Sequence, residues 1–430
     1  MGKAGERTVR RGRSYRYLVS GLLVVFAAQA QAKAYLPEGL GDALPPLLQL
    51  AEEQNPELRA ASEESAAAAE RVQPAGALPD PMLAVELRDI PADNPTLSPS
   101  AVGSTRYQLR QTFPLWGKRE LRSASATSAA AASQSEREAL RLTLRAKVKT
   151  AYAQFYTAQS SYRVIDGIKW LALGLQDVAQ TRYVAGLVPQ QDVIKAQAER
   201  WSLTNELIGI EAERHHAAGQ LNLLLGREPE AILALPKALP ALPAEYLRPY
   251  LLQVALLENS PLLAGMAAQS QAAQSNAELV RKNRYPDLTI GLAPIQKGNR
   301  LDAWDLMFEV DIPLQQETRR AREREAAAMT RATEARKQAL RNELLNRLNE
   351  TRIAYETLGK QHTLMVDTLL PQAELAYQSA LAGYQTGKVD FANVLDAQRQ
   401  VRKVRLDIVK IELDRYLQLV ELERLTGKDL

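Results

Sequence analysis

The sequence contains no cysteine, and this absence excludes several kinds of site at once. A chain without thiols has no disulfide framework, no cysteine-ligated zinc or iron–sulfur centre and no thiol nucleophile. Only three histidines are present, so few ligands are available for a histidine-based metal site. Aromatic residues are few, at 6%, whereas apolar residues reach 46%. This composition, rich in Ala, Leu, Gln, Glu and Arg, is typical of long helices and coiled coils.

The excess of positive charge is confined to the start of the chain. Residues 1–32 hold six basic residues and one acidic residue, which leaves 48 basic and 49 acidic residues in the remainder. This segment runs from its basic stretch into an apolar run of about eleven residues and two Ala-Gln-Ala sites. We therefore predict a cleaved secretory signal over residues 1–32. The alternative is a short membrane anchor, but the run falls short of the ~20 residues that span a bilayer.

The remainder of the chain is a tandem repeat. Residues 182–197 recur as residues 383–398, at an offset of 201, with matching Tyr, Gly, Val, Ala and Gln positions. Other landmarks recur in the same order, such as Asn55-Pro56 with Ser260-Pro261 and Phe113-Pro-Leu115 with Ile312-Pro-Leu314. Copies of about 200 residues are too long for a solenoid, so we interpret the chain as a duplicated domain. The predicted units are a first repeat over residues 33–226, a Pro-rich linker over 227–246 and a second repeat over 247–430.

Each repeat is predicted to contain, in order, a helix, two strands, a very long helix, a turn and a returning helix. The expected helices are residues 44–73, 115–183 and 189–225, then residues 247–283, 314–370 and 389–426. The first long helix contains no proline and would span about 100 Å at 1.5 Å per residue. The returning helices carry apolar residues at alternating spacings of three and four, which predicts a coiled-coil seam.

Two predicted strands in each repeat alternate between apolar and polar residues, the period of a strand with unlike faces. These strands are residues 82–89, 104–113, 288–293 and 304–312. Strands of about ten residues with one apolar and one charged face are also typical of a membrane β-barrel. In that interpretation Arg106, Arg110, Asp305 and Glu309 line a wet lumen. Four strands cannot close a barrel, so several chains would have to contribute. The alternative is two soluble amphipathic hairpins.

The two Tyr-x-x-Gly turns and the strand-to-helix junctions resemble the outer-membrane efflux protein family, of which TolC is the best-known member. The junctions are Gln111-Thr-Phe-Pro-Leu-Trp-Gly-Lys-Arg119 and Val310-Asp-Ile-Pro-Leu314. The resemblance covers residues 44–427 and is greatest for the CzcC-type branch of heavy-metal resistance pumps. It implies a mainly α fold with a small β part, made of duplicated halves. A homotrimer would form an α-helical periplasmic tunnel topped by a shared twelve-stranded β-barrel in outer-membrane lipid.

The resemblance also implies roles for particular residues. A periplasmic membrane-fusion adaptor would dock on the two turns, whose residues are Ala185, Gly186, Leu187, Thr386, Gly387 and Lys388. Family members narrow the tunnel near these tips with acidic residues, and the matching positions here are Asn393 and Asp396. The first repeat has Asp192 and Lys195 at the equivalent positions. Asn393 stands where the family usually has a second aspartate. The alternative is that these residues are ordinary exposed charges in the first turns of helices.

The implied function is a passive exit duct. An inner-membrane proton-driven pump of the RND type would supply the energy for export. Heavy-metal cations are the expected cargo, and organic toxicants or type I protein secretion are alternatives. A structural periplasmic coiled-coil protein without a conduit is a hypothesis of a different class. No phosphate-binding loop or activated nucleophile is evident, so we expect no enzymatic activity, no cofactor and no nucleic-acid partner. The pair His215-His216 is interpreted as solvated helix surface.

Overall fold

The computed structural model describes residues 40–240 and 247–429, so the predicted signal peptide and part of the linker lie outside the described residues. The described residues form long helices around one small sheet, which confirms the predicted class of a mainly α protein with a small β part. The first repeat contains α1 (Leu44–Gln54), α2 (Pro56–Glu70), α3 (Val72–Gly76), β1 (Met82–Arg88), β2 (Ser104–Phe113), α4 (Lys118–Val184) and α5 (Gln190–Leu224). The second contains α6 (Pro249–Asn259), α7 (Pro261–Lys282), β3 (Leu288–Lys297), β4 (Arg300–Val310), α8 (Gln316–Leu364), α9 (Leu370–Gln385) and α10 (Phe391–Thr426).

Each repeat opens with helices that a proline divides. The prediction of single helices over residues 44–73 and 247–283 is wrong, because α1 and α2 part at Asn55 and α6 and α7 part at Ser260. Both residues have extended backbones, with ψ of 120° and 114°. A proline ring disfavours helical geometry in the residue before it, yet fits the first turn of the next helix. The Asn55 side chain also caps α2 by accepting the Leu58 N–H at 3.0 Å.

The longest helix, α4, continues unbroken for 67 residues, which is about 100 Å at 1.5 Å per residue. It begins at Lys118 rather than at Leu115, because Trp116 and Gly117 adopt left-handed backbone angles. In the second repeat, α8 and α9 are joined by a π-helical turn over Met365–Leu369. Pro371 accounts for this turn, since proline has no N–H and its ring presses on the carbonyl four residues earlier. The wider π turn makes room for the ring and lets the helix continue.

The four strands form one antiparallel sheet in the order β1-β2-β3-β4, so the pairing of β2 with β3 joins the two repeats. The second hairpin is longer than predicted: β3 extends to Lys297, and β4 begins at Arg300 after a turn at Gly298. Pro294 suggests an earlier end to β3, because proline cannot donate to a ladder. The pairing with β2 does lapse at Pro294, but β4 pairs with it and carries the strand onward.

Three apolar clusters hold the helices together. The first packs α4 and α5 against α9 and α10. The second packs α1 against α4 and the end of α5, and the third joins α6, α8 and α10. The predicted seams of α5 and α10 lie in the first cluster, except for Ile411 and Arg200. The Arg200 guanidinium lies 4.6 Å from the ring centre of Trp201.

Among the described helices none is by itself long and apolar enough to span a membrane. The pair α6 and α7 passes that test only when the two are joined across their 44° bend.

Candidate functional site at the two ends of the long helices

Both turns between long and returning helices end in the same backbone motif. Gly186 and Gly387 have φ of 71° and 76°, in the left-handed region that favours glycine. The Gly186 N–H donates to the Tyr183 carbonyl at 2.9 Å and the Leu187 N–H to the Arg182 carbonyl at 2.9 Å. This is a Schellman motif, which satisfies the last carbonyls of a helix.

The second turn repeats this pattern. Gly387 donates to the Tyr384 carbonyl at 3.0 Å, and Lys388 donates to the Gly383 carbonyl at 2.9 Å. All six residues predicted as tips are exposed, and Leu187 exposes 66% of its surface. The turns therefore lie where the sequence places them and present accessible side chains.

Arg182 joins the two turns, a contact that was not predicted from the sequence. Its guanidinium, at the end of α4, donates to the carbonyls of Tyr384 and Gln385 at the end of α9. It also lies 5.1 Å from the centre of the Tyr384 ring. These contacts cap α9 with a cation, which its carbonyls and dipole favour. A signal was present in the repeat: Arg182 aligns with Gly383, so only the first copy carries this side chain.

Tyr384 links the second turn to the start of α5. Its ring is buried and meets Phe391 edge to face, with centroids 5.3 Å apart. Its hydroxyl donates to the Asp192 carboxylate at 3.2 Å. Burial, and then the neighbouring charge and hydrogen bond of Asp192, raise the pKa of Tyr384 to about 12. Asp192 is thus engaged within the chain, where it holds the two repeats together near the turns.

The other predicted gate residues differ in their surroundings. Asp396 and Asn393 are exposed on one side of α10, and 74% of the Asp396 side chain is accessible. Lys195 is half-buried on α5. Asp396 lies 3.9 Å from Arg399, whose guanidinium also binds the buried carboxylate of Glu199 at 2.7 Å. Asp396 therefore keeps an accessible carboxylate beside an arginine that is already paired.

The glutamate Glu199 forms the centre of a charge network behind this surface. Arg402 approaches Glu199 at 3.8 Å and binds Glu206 at 3.1 Å. The pKa of Arg399 is raised, chiefly by its hydrogen bond to Glu199. The network ties α10 to α5, and no local sequence pattern reveals it, because the partners are about 200 residues apart.

At the other end of α4, the sheet has two unlike faces. Arg106 pairs with Asp305 at 3.1 Å, and Arg110 approaches Glu309 at 4.0 Å. The four residues predicted to line a lumen thus lie on one face and form two ion pairs. On the opposite face, register aligns an apolar row across all four strands, made of Leu83, Leu109, Leu292 and Leu306. Every residue of that row is exposed.

In residues 40–240 and 247–429, no group of three or more His, Asp or Glu side chains is arranged to hold a metal ion. His215 and His216 are exposed on the surface of α5. The ring of His216 lies 3.2 Å from the side-chain amide of Gln220 on the same helix.

The sequence matches the family described as "Outer membrane efflux protein" over residues 47–227 and 252–428. The chain belongs to the outer membrane efflux protein family. This membership identifies an outer-membrane efflux channel with most of its helices in the periplasm, and members of the family are channels rather than enzymes.

Individual relatives agree with this membership. The chain is 28% identical over 392 residues to the cobalt-zinc-cadmium resistance protein CzcC of Cupriavidus metallidurans, covering 89% of each sequence. It is 24% identical to the pyoverdine export outer membrane protein OpmQ of Pseudomonas aeruginosa, covering 79% of this chain and 72% of OpmQ. The crystal structure of the outer membrane protein VceC of Vibrio cholerae has the same fold, with a TM-score of 0.76 at 19% identity over 90% of this chain and 96% of that one.

Proposed function

We propose that this efflux protein is the outer-membrane duct of a tripartite pump that exports heavy-metal cations. The observation that carries the channel part is the sheet, whose ion-paired face suits water and whose exposed apolar face suits lipid. The likeness to CzcC over 89% of each chain supports cations as the cargo. Energy would come from an inner-membrane proton-driven pump of the RND type.

A homotrimer would complete the duct. Strands β1 and β4 are the free edges of the sheet, and open edges invite pairing with another chain. Three copies would supply twelve strands, enough to close a barrel. Along α5, the exposed residues Ile194, Trp201 and Ile208 recur every seven positions. Such a heptad stripe suits packing against a neighbouring helix, which supports a bundle shared by copies of this chain.

The paired turns are the proposed docking surface for a periplasmic membrane-fusion adaptor. Leu187 and Val184 offer exposed apolar side chains at the first turn, and Lys388 offers a cation at the second. Arg182 holds the turns in one arrangement, so an adaptor would meet a preorganised pair, which lowers the entropic cost of binding.

Asp396 is the proposed selective residue of the periplasmic gate. In a trimer three Asp396 carboxylates would face one another, and a ring of carboxylates attracts cations and repels anions. Asn393 would add a neutral polar ring beside it, and half-buried Lys195 would moderate the field. Asp192 would act differently, as the acceptor that holds Tyr384 and so keeps α9 and α10 close to α5.

An in-cell photo-crosslink from Leu187 and from Lys388 tests the docking surface. Both positions should capture the same periplasmic adaptor, while a crosslinker at Ile232, which is 90% exposed outside the turns, should not. Capture of nothing but neighbouring copies from both tips would overturn the assignment of the turns as the adaptor-docking surface.

Deletion of the protein tests the cargo. The deletion strain should lose resistance to cobalt, zinc or cadmium, and Asp396→Ala should raise basal conductance and weaken cation preference in a planar bilayer. Unchanged conductance and selectivity would remove Asp396 from the gate. Sensitivity to organic compounds alone would favour the second candidate cargo, which the likeness to the pyoverdine exporter OpmQ supports.

A further inference from the structure

The junction between β2 and α4 contains a tryptophan with an unusual backbone conformation, to which the proposed duct function gives no role. Trp116 is not glycine, yet its φ is 66°, in the left-handed region that L side chains avoid. Gly117 follows with a φ of 77°, and only then does α4 begin. Backbone strain of this kind persists only where the surrounding structure enforces it, and it often serves a function.

Several contacts enforce the position of the indole. Its ring stacks on Tyr285 with centroids 5.1 Å apart, and its Nε1–H donates to the Pro286 carbonyl at 2.9 Å. The buried Lys118 ammonium donates to the Tyr285 carbonyl at 2.7 Å and to Asp287 Oδ1 at 2.8 Å. Lys118 thereby fastens the segment before β3 to the start of α4.

The duplication provides an internal comparison. After the matching Pro313-Leu314 of the second repeat comes Gln315, with a φ of −79°, and α8 starts at once. A long helix can therefore follow a strand without the Trp-Gly-Lys sequence or its left-handed backbone. The strain at Trp116 serves the placement of its indole rather than the start of the helix.

The rings lie where the sheet meets the helices. Trp116 exposes 52% of its surface and Tyr285 exposes 40%. Two cations approach the Tyr285 ring: Lys282 Nζ at 5.9 Å and the Arg284 guanidinium at 5.8 Å from its centre. Within the part of the chain that the structure describes, neither of them forms a salt bridge, whereas nearby Arg281 pairs with Glu278 at 2.6 Å.

We propose that Trp116, Tyr285, Lys282 and Arg284 bind the phosphate of an anionic phospholipid headgroup, in the leaflet next to the periplasmic helices. Trp and Tyr favour the membrane interface because they combine an apolar body with a polar tip. Uncompensated Lys and Arg beside them attract the negative headgroup, with the acyl chains lying along the exposed apolar row of the sheet. The site rests on outer-membrane insertion and is independent of the cargo and the adaptor.

Quenching of Trp116 by brominated lipids tests this site. In a Trp304→Phe background, Trp116 is the tryptophan near the bilayer. Trp170 lies about 80 Å along α4, and Trp201 lies on α5, within about 20 Å of the turn at the far end of α4. The protein is reconstituted in vesicles of phosphatidylethanolamine that contain equal mole fractions of brominated phosphatidylglycerol or brominated phosphatidylethanolamine. We expect brominated phosphatidylglycerol to quench Trp116 fluorescence several-fold more than brominated phosphatidylethanolamine does. In a Lys282→Gln/Arg284→Gln variant the two lipids should quench Trp116 equally.

A matched control keeps the test specific. Arg336→Gln/Arg341→Gln removes the same charge from exposed positions about 30 Å along α8 and should keep the preference. Retained channel conductance shows that each variant is folded. Equal quenching by both lipids in the parent, or equal loss in the control, would overturn the site. Loss of the preference on adding millimolar inorganic phosphate would assign the cations to free anions and would also overturn it.

Discussion

Replacing Arg182 with methionine should loosen the second tip turn, although the mutated residue belongs to the first. Methionine keeps the length and helix propensity of the side chain but removes the charged donor. The change deletes the hydrogen bonds to the Tyr384 and Gln385 carbonyls and the contact with the Tyr384 ring.

The size of the effect follows from these contacts. A hydrogen bond with a charged partner contributes about 1.5–3 kcal/mol when it is well shielded. Arg182 is only half-buried, so we take about 1 kcal/mol for each hydrogen bond and rather less for the cation–π contact. A loss of about 2 kcal/mol in local stability corresponds to roughly a 30-fold rise in the open population of the turn.

Hydrogen–deuterium exchange measures that population directly. The amides of Thr386, Gly387 and Lys388 are hydrogen-bonded in the turn and should exchange roughly 10- to 30-fold faster in Arg182→Met. The turn at Gly427, whose N–H bonds the Glu423 carbonyl at 2.9 Å, should not change. Arg200→Met is the matched control.

Exchange at residues 386–388 within twofold of the parent, in a protein that is otherwise folded, would refute the coupling of the two turns. A similar acceleration in Arg200→Met would also refute it, because that arginine stacks on Trp201 away from the turns.

Three further predictions concern other contacts. Lys149→Met should lower stability by about 3 kcal/mol in urea-driven unfolding in detergent, because it removes a buried ammonium that binds both Glu423 and Asp429 at 2.6 Å; an unchanged midpoint would contradict this. Gly186→Val has open space around it and should cost about 1–2 kcal/mol from backbone strain alone, seen as reduced adaptor capture with an intact trimer on native gels; loss of the trimer would argue against the tip assignment. The pKa of Tyr384 is raised from 10.0 to about 12 in the folded protein, so the turn should be fully stabilised below pH 10 and lose stability between pH 10 and 12, where the opened state ionises first. Hydrogen exchange of the turn amides, followed against pH, should show this alkaline loss in the parent and not in Tyr384→Phe.

Local signals in the sequence account for much of this architecture. The strand pairs follow from the alternation of apolar and polar residues. The turns at Gly186 and Gly387 follow from a glycine in each Tyr-x-x-Gly sequence, because a tight turn after a helix favours a left-handed residue. Proline was harder to interpret. Pro56 and Pro261 each begin a new helix, whereas the helix continues through Pro371 by way of a π turn.

The candidate site shows the same division. The positions of the turns and the shared face of Arg106 and Asp305 follow from spacing and alternation along the chain. The engagement of Asp192 by Tyr384 and the bridge from Arg182 to α9 do not, because their partners lie about 190–200 residues away. Nothing in the local pattern distinguishes the occupied carboxylate of Asp192 from the accessible one of Asp396.

The sequence by itself determined the order of elements in each repeat, the unbroken run of α4 and the two unlike faces of the strands. Each of these depends on periodicity or on Gly and Pro, which act over a few residues. Only the tertiary structure decided which charges are paired, which turn is tied to the other, and how Trp116 is placed on Tyr285. Those outcomes depend on contacts between the two repeats, and such contacts are set by the packing of whole helices and strands rather than by the order of neighbouring residues.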